Sequence, residues 1–167
     1  YQYGCQINQE ADGVKVCEFG PENALHTVAL IGGSHSTHWL PALRQEAYER
    51  DFRIITYLKG GCPFTASAEH GAQCQQWNEE VIQSLSQAPP DVIVTTATRG
   101  HGADEHVPPA YLEQWRRVEP MGIPILAIRD NPWFGFNVPD CVERHGADSP
   151  TCERKRSDVL ADAEPWL

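Results

Sequence analysis

The chain has 167 residues, enough for one domain with a substantial core, and 41% of them are hydrophobic. That fraction and the five tryptophans exclude an intrinsically disordered protein. The formal net charge of −10 argues against nucleic-acid binding, which favours basic surfaces, but leaves a neutral polysaccharide or glycolipid as a partner. No apolar run approaches the roughly 18 residues of a membrane-spanning helix.

Residues 1–26 show no helical period and contain two cysteines and the turn Phe19-Gly20-Pro21. We predict a disulfide-pinned N-terminal lead-in over 1–26 and an α/β domain over 27–167.

The six cysteines fall, in sequence order, into three close pairs. Many connectivities are open to six cysteines, so the pairing is a hypothesis: Cys5–Cys17, Cys62–Cys74 and Cys141–Cys152. None forms a C-x-x-C motif, which argues against a zinc site and a thioredoxin-type centre, and we expect neither metal nor cofactor. Disulfides predict an extracytoplasmic protein, whereas reduced, buried cysteines in the cytosol are the alternative.

The first predicted strand, over 27–32, is an apolar run that enters a Gly-Gly turn and delivers Ser34 at its end. Ser36 and Thr37 are placed to cap a helix over about 38–50. A serine between a buried strand and a helix lies at the edge where open α/β sheets bind ligands, beside backbone N–H groups suited to an oxyanion. Ser34 is therefore a candidate nucleophile, and a plain connecting turn is the alternative.

A second strand is predicted over 52–58 and ends at Gly60-Gly61. A glycine pair there permits positive φ and close approach of a backbone N–H to a ligand, although it also fits an ordinary turn. After a polar loop over 65–74, an apolar stripe predicts a helix over 75–87.

The third predicted strand, 92–96, opens into a loop that carries His101, Asp104 and His106. A solvated loop is the favoured interpretation, with acceptor contact as the second. A metal site or catalytic base is the least favoured interpretation. Two histidines at this spacing with one aspartate are a poor ligand set for a metal ion.

A helix over 108–118 and a fourth strand over 123–128 precede Asp130, which can accept a hydrogen bond from a neighbouring loop or orient a histidine. An aromatic cluster then either lines an acceptor groove or covers the sheet edge: Trp133, Phe134 and Phe136. Residues 141–152 are predicted as a pinned polar loop, and 153–167 as the beginning of a final helix.

Four buried strands alternating with helices predict a three-layer α/β domain with a parallel sheet. The residues that follow the four strand ends, Ser34, Gly61, Thr98 and Asp130, are then expected on one rim of that sheet. This convergence predicts a site from the residues alone.

Four motifs carry a resemblance to a known family. They are Ile31-Gly-Gly-Ser-His-Ser-Thr-His-Trp-Leu-Pro-Ala-Leu43, Lys59-Gly-Gly-Cys-Pro-Phe64, Cys74-Gln-Gln-Trp-Asn78, and Arg129-Asp-Asn-Pro132 with Val138-Pro-Asp-Cys141. Through them, over roughly residues 28–152, the chain resembles SGNH-type esterases and acyltransferases. It looks most like the SGNH domains fused to the membrane-embedded acyltransferase-3 (AT3) proteins of bacteria.

The resemblance implies an α/β/α sandwich of SGNH, flavodoxin-like type, with Ser34 as the nucleophile. Oxyanion donors would be the backbone amides of Ser34 and Gly61, with Thr98 or Arg99 where many members have an asparagine. Weaker candidates for substrate contact are His35, Arg99, His101, Asp130 and Trp133. The implied activity is transfer of an acetyl or other short acyl group onto a cell-envelope glycan or glycolipid through a serine acyl-enzyme. A carbohydrate O-acetyl esterase and a catalytically degenerate glycan-binding module are the alternatives.

Two departures from the family pattern affect these expectations. Gly33 stands where the family has an aspartate before the serine, and the family's Asp-x-x-His pair is absent. We therefore expect that the last strand and helix, with the catalytic histidine and aspartate, lie beyond residue 167. The resemblance also implies an AT3 integral membrane domain in the same polypeptide, an extracytoplasmic location, and an isolated domain that is monomeric and binds no nucleic acid.

Overall fold

The structure, a computed structural model, describes residues 3–163, which form two compact units. Within these residues the first unit comprises 3–97 and 109–129, and the second comprises 98–108 and 130–163. No helix in this part of the chain combines the length and apolarity needed to cross a membrane.

The first unit is built around a six-stranded sheet. Its strands are β1 (Gln6–Ile7), β2 (Val16–Phe19), β3 (His26–Gly32), β4 (Phe52–Lys59), β5 (Val92–Thr96) and β6 (Ile125–Ile128). The last four run parallel in the order β4-β3-β5-β6. Their carboxyl ends therefore share one edge of the sheet, the edge at which open α/β sheets bind ligands.

The outer edge of β4 is covered by the N-terminal segment. Strand β1 pairs parallel with the end of β4, Gln6 opposite Leu58, and β2 pairs antiparallel with the preceding residues. The Cys5–Cys17 disulfide closes this segment. The sequence predicts no strand before residue 27, because strands of two and four residues carry almost no periodic signal. Their pairing instead shields an edge that would be open to other chains.

Four helices belong to the first unit: α1 (Ser34–Thr37), α2 (Leu40–Arg50), α3 (Ala72–Gln87) and α4 (Pro109–Val118). Helix α2 packs on one face of the sheet in a cluster of Leu30, Leu40, Ala47, Ile54, Leu58 and Val94. Helices α3 and α4 pack on the opposite face, where Trp77, Val81, Leu85 and Val118 join Ala29, Ile31 and Ile93. The predicted three-layer α/β fold with a parallel sheet is thereby confirmed.

The second unit contains α5 (Val138–His145), α6 (Arg156–Val159) and two short 3₁₀ turns. The predicted polar loop over 141–152 is wrong in its first part, because α5 begins with an Asn137 cap whose side chain accepts from the N–H of Asp140. The predicted helix over 153–167 is reduced to the single turn of α6, and its residues 164–167 lie outside the described part. The disulfide Cys141–Cys152 closes α5 onto the turn that follows.

Candidate active site

Ser34 lies at the first position of α1, directly after β3 and the Gly-Gly turn. Gly32 has a φ of +136°, and a Cβ there would lie 2.4 Å from Ser36 Oγ, so only glycine fits. Gly33 has a φ of −88° and occupies the N-cap position. The chain thus reverses from strand to helix within two residues and leaves the Ser34 side chain half-buried.

Ser36 and Thr37 do not cap a following helix as predicted, because helical structure already begins at Ser34. They anchor α1 instead. Ser36 Oγ and Thr96 Oγ1 at the end of β5 share a buried hydrogen bond of 3.1 Å. Thr37 Oγ1 lies 3.1 Å from the carbonyl oxygen of Gly33. The first N–H groups of any helix have no acceptor within the helix, and Ser34 is the first residue of α1, so its backbone N–H is a candidate oxyanion donor.

The Gly60-Gly61 turn ends β4 beside the Ser34 turn. Gly61 is exposed and has a φ of +65°, and the N–H of Cys62 closes the turn onto the carbonyl of Lys59 at 3.2 Å. A Cβ at Gly33 would lie 3.4 Å from the backbone nitrogen and oxygen of Cys62. The structure therefore places the Ser34 turn close enough to the residue after Gly61 that a single added carbon would fill the space between them.

A buried disulfide fixes the far side of the Gly60-Gly61 turn. Cys62 and Cys74 are bonded, and both are buried against α3. The Asn78 side-chain amide donates to the carbonyls of Pro63 and Cys74, and its oxygen accepts the N–H of Thr65 at 3.1 Å. The segment after Gly61 is therefore held by covalent and polar contacts at once. All three disulfides have the pairing predicted from the order of the cysteines.

Lys59, the last residue of β4, has a fully buried side chain, which the sequence does not predict. Its Nζ donates a hydrogen bond to the carbonyl oxygen of Ala11. Burial lowers the pKa of Lys59 below its ordinary value, and the charges of Asp12 and Glu80 oppose that shift. A lysine that ends an apolar strand is usually exposed, so the strand pattern does not predict this burial, although Lys59 begins one of the four motifs that carry the family resemblance.

In the second unit, Asp130 is the centre of a hydrogen-bonded cluster. Its carboxylate accepts from Arg99 Nη1 at 3.4 Å, from Trp133 Nε1 at 3.2 Å and from the N–H of Asn131 at 2.8 Å. Its own N–H donates to Thr98 Oγ1 at 2.9 Å. The sequence offers two roles for Asp130: accepting a hydrogen bond from a neighbouring loop, or orienting a histidine. The structure contains the first, with Arg99 as the donor.

The histidine-containing loop of the second unit shows no carboxylate–histidine pair in its geometry. His106 Nδ1 lies 2.8 Å from the main-chain oxygen of Asp104 rather than from its carboxylate, and His101 is exposed. Among residues 3–163 no group of three His, Cys, Asp or Glu side chains is arranged to hold a metal ion.

The predicted site residues thus fall into two groups. Ser34, His35 and Gly61 belong to the first unit. The others belong to the second: Thr98, Arg99, His101, Asp130 and Trp133. Contacts exist within each group, and the convergence of all of them on one rim stays a prediction.

A cavity of about 390 Å³ in the first unit adjoins α1, one helical turn past Ser34. Its lining combines apolar and polar residues: Tyr3, Cys5, Gln6, Thr37, His38, Leu40, Pro41 and Leu58. The sequence does not predict this cavity because its outer wall is the N-terminal segment.

Comparisons with known proteins give two matches. The family model described as "SGNH domain (fused to AT3 domains)" matches residues 4–166. No curated protein matches the chain. A solved structure, the periplasmic domain of a lipopolysaccharide acetyltransferase from Salmonella ser. Paratyphi A, is similar with a TM-score of 0.58 and 16% sequence identity. The alignment covers 77% of this chain and 55% of that one, so the chain spans about half of its length. At this identity the likeness shows the fold alone.

Proposed function

The chain belongs to the family of SGNH domains fused to AT3 domains, and from that premise we propose that it is an extracytoplasmic O-acyltransferase domain. Its substrate would be an acetyl or other short acyl group, and its acceptor a cell-envelope glycan or glycolipid. Family membership supports acyl transfer in general. The observation that carries the proposal is that the Ser34 turn and the Gly60-Gly61 turn follow the carboxyl ends of the paired strands β3 and β4, so close that a Cβ at Gly33 would reach Cys62 at 3.4 Å.

In the proposed mechanism, Ser34 Oγ attacks the carbonyl carbon of the acyl donor while a general base takes its proton. The bond to the donor's leaving group breaks, the leaving group is protonated, and an acyl-enzyme remains. A sugar hydroxyl then attacks the ester, with its proton passing to the same base, and Ser34 is regenerated. We assign the base to a histidine, oriented by an aspartate, that lies beyond residue 167.

The oxyanion donors in this proposal are the backbone N–H groups of Ser34 and Gly61, with the Thr98 hydroxyl as a third. Two features support the backbone N–H donors: Ser34 lies in the first turn of α1, and Gly61 is exposed and has a positive φ. Removing one such donor typically costs roughly 3 kcal/mol of transition-state stabilisation. Candidate substrate contacts are His35, Arg99, His101, Asp130 and Trp133.

The proposed partner is an AT3 integral membrane domain in the same polypeptide, which would deliver the acyl group. The family description supports this fusion. The three disulfides and the likeness to a periplasmic domain support an extracytoplasmic location. We propose that the isolated domain is monomeric.

A carbohydrate O-acetyl esterase and a catalytically degenerate glycan-binding module are the alternatives. The esterase would use the same acyl-enzyme with water as the acceptor. Gly33, which replaces the family's aspartate, is the observation that favours the degenerate module.

Trapping of the acyl-enzyme site tests the proposal. The protein in its natural length is treated with a serine-directed fluorophosphonate and analysed by intact-mass spectrometry, beside Ser34→Ala and the exposed-serine control Ser86→Ala. We expect stoichiometric labelling of the wild type and of Ser86→Ala, and none of Ser34→Ala. A folded wild-type protein that does not label would refute the acyl-enzyme and favour the glycan-binding module. Product analysis with and without a glycan acceptor then separates transfer from hydrolysis.

A further inference from the structure

The loop formed by residues 5–17, here called the N-terminal loop, contacts helix α1, which begins at Ser34, and the Gly60-Gly61 turn. The Cys5–Cys17 disulfide closes it. Strand β1 lies within the loop and β2 begins in it, and both pair with β4, so the loop is fixed along the strand that ends in Gly60-Gly61. No step of the proposed mechanism uses the loop, and its contacts with α1 and with this turn are therefore unexplained.

On the nucleophile side, the loop contacts α1 through Gln6. Gln6 Oε1 lies 2.7 Å from Thr37 Oγ1, and the same hydroxyl lies 3.1 Å from the carbonyl oxygen of Gly33. Thr37 is one helical turn after Ser34. A side chain of the N-terminal loop is therefore hydrogen-bonded to the short helix that begins at the proposed nucleophile.

On the oxyanion side, the loop contacts the backbone of both turn glycines. The N–H of Gly60 donates to the carbonyl of Ile7 at 2.8 Å. A Cβ at Gly61 would lie 2.9 Å from Gln9 Oε1, so the Gln9 side chain already occupies that space. The orientation of the Gly61 peptide is thus limited on its outer side by the loop.

Lys59, the residue before the Gly60-Gly61 turn, also contacts the N-terminal loop. Its side chain is fully buried, and Nζ donates to the carbonyl of Ala11 in the middle of the loop. Burying an ammonium group is costly, and an apolar side chain of similar size often serves stability as well or better. Stability alone therefore does not account for a lysine next to Gly60.

We propose that the N-terminal loop is a positioning element of the acyl-transfer centre, with Gln6 and Lys59 as its positioning residues. Gln6 fixes Thr37 at the end of the one-turn helix α1, and Lys59 fixes the loop against the Gly60-Gly61 turn, so that the Ser34 hydroxyl and the Gly61 N–H keep their separation. This inference rests on the proposed function, since it assigns those two groups to one reaction.

The test compares Lys59→Met with Lys15→Met in the protein of natural length. Lys15 is a matched control because its Nζ donates at 2.6 Å to the carbonyl of Gly4, a contact of the same kind that is exposed and does not touch the turn. The readouts are the rate constant of fluorophosphonate labelling at saturating probe, the probe concentration at half saturation, and the Tm. We expect Lys59→Met to slow labelling about tenfold, a fraction of the loss seen when an oxyanion donor is removed outright. The half-saturating concentration and the Tm stay near the wild-type values, and Lys15→Met labels at the wild-type rate.

A second pair of variants gives an independent result if Lys59→Met does not fold. Gln6→Glu keeps an oxygen acceptor for Thr37, whereas Gln6→Met has the same length without one. We expect Gln6→Glu to retain most of the labelling rate and Gln6→Met to lose about tenfold. Wild-type rates in folded Lys59→Met and Gln6→Met would overturn the positioning role while leaving the proposed function intact. Absence of labelling in the wild type itself would overturn both.

Discussion

Each of the two units is stabilised internally by a different kind of interaction. In the first unit, apolar side chains are buried on both faces of the sheet, from Leu30 and Ile54 on one side to Trp77 and Val81 on the other. In the part of the second unit that the structure describes, the buried hydrophobic residues are only Cys152 and Val159. The first unit therefore depends on apolar burial, and the second depends on a disulfide and on polar contacts.

Specific polar contacts occur among the described residues of the second unit. Glu105 is buried, and its carboxylate accepts the N–H of Ala161 at 2.8 Å. Arg99 and Asp130 form an ion pair whose carboxylate is nearly inaccessible. Such interactions fix geometry but stabilise each by only about 1 kcal/mol when both partners can instead be hydrated. The lesson is that the two units should respond differently to the same class of mutation.

The largest expected effect is a truncation in the core of the first unit. Leu30→Ala removes a fully buried side chain from the central strand β3 and should lower the free energy of unfolding by about 2–5 kcal/mol, since a cavity remains. Denaturant unfolding measures this loss. Leu25→Ala is the control, because Leu25 is 85% exposed and lies just before the same strand. A loss at Leu30 no greater than that at Leu25 would contradict the account of this core.

The next effect is removal of the cross-link of the second unit. Cys141→Ala with Cys152→Ala opens a loop whose closure contributes roughly 3 kcal/mol in the chain-entropy model. Because little apolar burial supports this region, amide hydrogen exchange should rise over residues 138–163 and stay unchanged in β3 and β5. Equal loss of protection in β3 would show that the two units open as one, and the contrast between them would then be wrong.

The smallest effect concerns an ion pair between helices of the first unit. Arg117 donates two hydrogen bonds of 2.6 Å to Glu79, and these lower the pKa of the Glu79 carboxyl. The Glu79 carboxyl has its ordinary pKa of 4.5 in the unfolded chain and a lower pKa in the folded protein, so between these two values the unfolded chain binds more protons than the folded one. The stabilisation is therefore present at neutral pH and is lost as the pH falls through the folded-state pKa.

Arg117→Met tests this pair by urea unfolding at pH 7 and at pH 3, with Arg116→Met as the exposed control on the same helix. Since Glu79 is half exposed, the expected loss at pH 7 is under about 1 kcal/mol, and it should shrink at pH 3. A loss that is the same at both values of pH would exclude an electrostatic origin.

How well the sequence predicts an element depends on how much of its pattern is local. Strand β5 was predicted at its observed bounds, Val92–Thr96, because an apolar run between Pro90-Asp91 and a polar loop has few other interpretations. Strands β1 and β2 were missed because they exist only through their pairing with β4. Helix α5 was missed although Val138, Cys141 and Val142 stand at helical spacing, because the helix is short, none of its residues is fully buried, and its end runs into the polar segment between the two cysteines.

The candidate site was predictable where it depends on strand ends and unpredictable where it depends on long-range contacts. The parallel sheet predicts that the residues after the strand ends share one rim, and the turns at Ser34 and Gly61 do follow the paired strands β3 and β4. The contact of Lys59 with Ala11 joins residues 48 positions apart, and no local pattern encodes it. The cavity beside α1 was unpredictable for the same reason.

The two glycines before Ser34 differ in how freely they can be replaced over evolutionary time. Gly32 has no alternative, because any Cβ would overlap Ser36 Oγ at 2.4 Å. Gly33 has an ordinary φ, and its Cβ would make only normal contact at 3.4 Å with the backbone of Cys62. A single base change converts many glycine codons into aspartate codons. The acidic residue that related motifs carry before the serine is therefore within one mutational step of this chain, and the backbone at Gly33 already has a φ that any L-residue adopts.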